Sequence, residues 1–86
     1  MPEISRFFGI IVYLYYADHT PPHFHAVYNE DEALIRLDTL GILRGNLPPR
    51  ALGLVIEWTT LHRQELQEAW DRAVALQPFR KIEPLR

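Results

Sequence analysis

No cysteine occurs anywhere in these 86 residues. A disulfide framework and a thiolate zinc site are both excluded by that absence, and the cytoplasm is the expected setting. An excess of positive charge is missing as well: nine Lys and Arg stand against eleven Asp and Glu, for a net charge of −2. That balance excludes binding to nucleic acid by bulk charge, though not by a small local basic patch. Long apolar runs are also absent. The stretch from Phe7 to Ala17 is about half of the roughly 20 residues that a membrane helix needs. Glu3 precedes it, and no basic flank or small-residue cleavage site frames it as a signal peptide. No membrane association is expected. No complete catalytic motif stands in the chain either.

What the chain does have is concentrated in His19-Thr20-Pro21-Pro22-His23-Phe24-His25, which holds three of the four histidines. Histidine changes its charge near neutral pH and is the commonest metal ligand. The two prolines stiffen the approach to His23, because each fixes its own φ and pushes the preceding residue out of the helical region.

The remaining pattern reads as one small α+β domain. Phe8 to Tyr16 is apolar on both faces and is expected to be a central strand. His23 to Tyr28 is a second strand, with His23, His25 and Val27 on one face and Phe24, Ala26 and Tyr28 on the other. Glu32 to Asp38 alternates as a third, Ala33, Ile35 and Leu37 opposing Leu34, Arg36 and Asp38. Thr39-Leu40-Gly41 is a tight turn with Gly41 at positive φ, and Ile42 to Asn46 returns as a fourth strand. At Pro48-Pro49 the period changes from 2 to 3.6, with proline suited to a first helical turn. From Arg50 to Gln77, Ala51, Val55, Trp58, His62, Leu66, Ala69, Ala73 and Leu76 form one apolar stripe, and Thr60, Gln64, Gln67 and Asp71 lie opposite. The expectation is a two-layer ββββα fold: a sheet over residues 1–46, one long helix over 48–77, and a tail over 78–86. A helix of that length would span about 40 Å and overhang the sheet. The sheet face left uncovered would carry Tyr13 and Tyr15. A chain this short buries only about 60% of its unfolded surface, so a homodimer or a complex is expected to complete it.

His23 and His25, two apart on one strand face, are about 6.6 Å apart at Cα. That lets both rings reach one phosphate or one metal. If the helix packs on that face, His62 in its apolar stripe points towards them, and Glu65 on the stripe's margin can orient a ring. His19, beside the prolines, reads as a solvent-facing turn residue. Arg36, on the strand expected beside the histidine strand, is the best phosphate-binding residue, with Arg6 as the second.

The stretches Met1 to Tyr16, Asp18 to His25, Leu47-Pro48-Pro49-Arg50-Ala51-Leu52, Trp58, Leu61 to Leu66, and Lys81-Ile82-Glu83-Pro84-Leu85 together resemble a small bacterial family, domain-of-unknown-function family 4160. Genes of that family often lie beside a second small gene, in an arrangement like a toxin–antitoxin pair. The resemblance therefore implies a small protein partner encoded nearby. It carries over no activity and no catalytic residue.

Three functions fit these residues. In the first, the chain is the effector half of a toxin–antitoxin-like pair acting on RNA. His23 and His25 serve as base and acid while Arg36 or Arg6 neutralises phosphate charge, with no cofactor and no metal. In the second it is a non-catalytic module that binds the neighbouring gene's product through its open sheet face or overhanging helix. In the third, His19, His23, His25 or His62 holds zinc or nickel with Asp18 as an oxygen ligand. The histidine spacings do not build a closed four-ligand site unaided, and tightly bound metal is not expected.

Overall fold

The computed structural model describes residues 2–16 and 19–86. Five strands, β1 (Glu3–Phe7), β2 (Ile10–Tyr13), β3 (His23–Tyr28), β4 (Asp31–Arg36) and β5 (Ile42–Gly45), precede two helices, α1 (Pro49–Leu61) and α2 (Arg63–Val74). The strands form one antiparallel meander in the order β1-β2-β3-β4-β5. The α+β class and the period change at Pro48-Pro49 stand as read from the sequence. The numbers of strands and helices do not.

The expected strand over Phe8–Tyr16 is instead the second arm of a hairpin. Phe7 pairs with Ile10, so Phe8 and Gly9 make a two-residue turn. Both have positive φ, 49° and 80°, the conformation of a type I′ turn, whose backbone twist matches that of the strands. Gly9 suits it, since glycine takes positive φ without steric cost. Phe8 does not, because bulky residues are rarely found at positive φ. Glu3, Ser5 and Arg6 interrupt the apolar residues of β1, and that hides it. In the turn after β4 the positive φ falls on Leu40, at 62°, rather than on Gly41.

The expected long helix breaks at His62, whose φ of −124° and ψ of 27° end α1 and start α2. No proline or glycine stands there. The hydroxyls of Thr59 and Thr60 donate back to the carbonyls of Val55 and Ile56, each at 2.8 Å. Such back-bonding on consecutive residues bends helices. The break lets α2 fold back over the sheet in place of the expected overhang. Its first residue fixes it there, Arg63 Nη2 donating to the carbonyl of Asp38 at 2.6 Å. Leu76, expected in the buried stripe, is 69% exposed. It takes positive φ as the residue that ends α2, while the Gln77 N–H caps the carbonyl of Arg72.

The helices cover the sheet face that carries Ile10, Val12, Phe24, Ala26, Ala33 and Ile35, all buried. Trp58 is the centre of that core, fully buried and packed against Phe7 and Phe24. The alternation in β3 and β4 runs as the sequence implied, so the histidines face the other way. The expected tail is part of the core. Ile82 and Leu85 are buried, the Ile82 N–H donates to the carbonyl of Ile4, and Trp58 Nε1 donates to the carbonyl of Glu83. The segment thus closes the β1 edge of the sheet, while β5 forms the other edge. Among the described residues, no helix is long and apolar enough to cross a membrane.

Candidate functional site

The uncovered sheet face brings His23 and His25 together. His25 lies between Tyr13 of β2 and Leu34 of β4, and His23 lies opposite Arg36. The two imidazole centroids are 5.2 Å apart. His23 is buried, its ring 5.5 Å from that of Trp70 on α2, and its Nδ1–H donates to the carbonyl of Pro21 at 2.8 Å. The proline pair therefore positions His23 through a backbone acceptor as well as through stiffness. His25 Nδ1–H donates to the Glu32 carboxylate at 3.2 Å. The Tyr15 ring meets His25 edge-on at 4.4 Å and stacks on Tyr13 at 6.2 Å. Because a carbonyl and a carboxylate only accept, each of these contacts places hydrogen on Nδ1 of its ring. The arrangement is a pair of imidazoles each oriented through Nδ1, His23 by the Pro21 carbonyl and His25 by the Glu32 carboxylate.

Both candidate arginines have acidic partners. Arg36 donates through Nε and Nη2 to the two oxygens of Asp38, at 2.8 and 2.7 Å. This two-point bond, with the Thr39 N–H, holds the Asp38 carboxyl well below the usual carboxylate range and pushes Arg36 up. Nη1 of Arg36 is left for an anion. Arg6 lies on the same face, opposite Ile11, and is joined to Glu3 at 2.8 Å across the bulge in β1. That bond lowers the Glu3 pKa and raises that of Arg6.

The other expected members are elsewhere. Of α2, only Trp70 meets the histidine pair among the ring contacts of the described residues, whereas His62 is turned to Trp58 and Glu65. The His62 ring lies 5.7 Å from that of Trp58 and its Nδ1–H donates to Glu65 at 2.7 Å. Glu65 thus orients His62, not the strand pair. His19 is exposed in the loop before β3. Among the described residues, no three His, Asp or Glu side chains are placed to hold a metal ion; Asp18, the oxygen ligand of the metal reading, lies outside them.

Three residues of the site are not among the sequence candidates. Glu32 is within reach of inference, because the short Tyr28–Asp31 turn sets it diagonally across from His25. Asp38 follows from the same alternation that places Arg36. Trp70 has no such signal, since it reaches His23 only because the helix breaks at His62.

The profile of the family described as domain of unknown function (DUF4160) matches residues 9–71. This chain belongs to that family. The match takes in the Phe8-Gly9 turn from its glycine onwards, both strand histidines, Arg36 and Trp70. No curated protein and no solved structure matches the chain.

Proposed function

We propose that this member of the DUF4160 family is the effector half of a toxin–antitoxin-like pair, and that its uncovered sheet face acts on RNA. The observation that carries the reading is the Glu32–His25–His23 arrangement, two imidazoles oriented through Nδ1 and 5.2 Å apart beside a pair of stacked tyrosines. In the reaction, a ribose 2′-oxygen attacks the adjacent phosphorus while His25 Nε2 takes its proton. The phosphorus–5′-oxygen bond breaks, and the leaving oxygen takes a proton from His23 in its imidazolium form. The products are a 2′,3′-cyclic phosphate and a 5′-hydroxyl, and exchange with solvent then removes the proton from His25 and returns one to His23. Glu32 holds His25 and balances the charge it gains. Nη1 of Arg36 faces the phosphate oxygens. Tyr13 and Tyr15 offer π-surfaces on which unpaired bases stack.

Induced expression tests this. His25→Ala and His23→Ala should each remove growth inhibition and lower cleavage of a single-stranded RNA by about 10²–10⁴-fold, with thermal melts showing both variants folded. Retained inhibition in both defeats the reading. A second reading is favoured by the charge balance of the face, where Arg6, Arg36 and His25 each have an acidic partner. A neutral aromatic surface suits a protein better than a phosphate chain. On that reading Tyr15→Asp abolishes the phenotype and the two histidine variants keep it.

A further inference from the structure

At the far end of the strands from the histidine pair, a cavity of about 520 Å³ opens between the first hairpin and the start of α1. Its walls include Phe8, Ile10, Tyr28, Pro48 and Leu54, with Arg50 supplying its charge. Phe8 is 60% exposed and sits at positive φ in a turn position that asparagine or glycine occupies more easily. Backbone strain of this kind persists where the surroundings enforce it, and it gathers at binding sites. Arg50 forms no ion pair among the described residues, and the first turn of α1 holds no acidic side chain to offset it.

We propose that this cavity is a docking site for a segment of a partner protein that presents a large apolar side chain next to a carboxylate. The apolar walls take the side chain and Arg50 takes the carboxylate. A small molecule in the cavity would leave the Phe8 ring bare at its rim, whereas a chain segment covers both. Aromatic residues and arginine beside a pocket are the usual anchors of protein–protein contacts. The site lies on the helix-covered side, away from the histidines, and stands independently of the activity proposed for the other face.

Two fluorescent decapeptides test it by anisotropy, each with a Trp-Leu core, one flanked by glutamates and the other by lysines. The acidic peptide should bind and the basic one should not. Arg50→Glu should weaken the acidic peptide by about tenfold or more, about 1.4 kcal/mol, and give the basic peptide measurable binding. Phe8→Gly keeps a residue suited to positive φ. It should raise the melting temperature and still lose the peptide, an outcome that a purely structural role for Phe8 does not produce. Binding of both peptides alike, or of neither, overturns the proposal. So does indole-3-acetate displacing the peptide at equal affinity, which makes the cavity a small-molecule site. A dimer in sedimentation that Phe8→Gly dissolves overturns it too, by placing a second copy there.

Discussion

The two faces of the sheet are built from alternate residues of the same strands and have opposite chemistry. In β3, Phe24 and Ala26 are fully buried under the helices, and their neighbours His23 and His25 face the other way. The covered face is held by apolar contact, which has little directional demand and depends on area and fit. The uncovered face is held by paired polar groups: imidazole with carboxylate, guanidinium with carboxylate, ring on ring. Because side chains alternate with a period of 2, one register fixes both sets at once, and a slip by one residue would exchange them between the faces. Stability and chemistry are thus kept largely on separate surfaces of one sheet, and they meet at His23, which is buried against Trp70 of α2.

The largest effect that sharpens this contrast is expected from Trp58→Ala. The residue is fully buried and its indole N–H is bonded to Glu83, so the loss should be about 3–5 kcal/mol in urea unfolding. Tyr15→Ala on the other face should cost about 1 kcal/mol, the scale of an aromatic ring pair. Similar losses for both would dissolve the contrast.

Next is Ile82→Ala, expected to cost about 2 kcal/mol, because this residue anchors the segment that closes the β1 edge. A change near zero would make that segment an ornament of the covered face. A smaller effect of opposite sign is expected from Ser5→Ala. The Ser5 hydroxyl is buried with no hydrogen-bond partner among the described residues, and removing such a group should raise stability by up to about 1 kcal/mol. A loss instead would show that the hydroxyl does have a role there.

The smallest effect belongs to the uncovered face. The Asp38 carboxyl has its pKa lowered by Arg36 and the Thr39 N–H. Its contribution is therefore present above the ordinary aspartate value of about 3.9 and is lost as pH falls through the lower folded value. The gap between the urea midpoints of wild type and Asp38→Asn should be small and constant from neutral pH to about pH 5, then close below about pH 4. A gap that widens on acidification would contradict this assignment of the pair.

Much of the fold is legible in the chain alone. The period of 2 in His23–Tyr28 and Glu32–Asp38 sets which residues share a face, because strand geometry leaves no other choice. It therefore places His23 and His25 side by side and Arg36 on the same face. The Pro48-Pro49 boundary is legible for a similar reason, since proline fixes local backbone whatever surrounds it. Non-local matters are not legible. Which face the helices cover depends on packing between segments far apart in sequence, so the pattern sets His62 beside the strand histidines although it belongs with Trp58 and Glu65. The break at His62 comes from hydroxyls competing for backbone carbonyls, with no glycine or proline to announce it. The hairpin at Phe8-Gly9 is a strained turn whose first residue argues against it. The last nine residues are apolar enough to be core, yet only the open edge of β1 and the indole of Trp58 give them a place to bind. Strand periodicity, a local property, is enough to make companions of the two histidines. Tertiary packing chose the companions of the other residues, because burial is settled between segments and not within them.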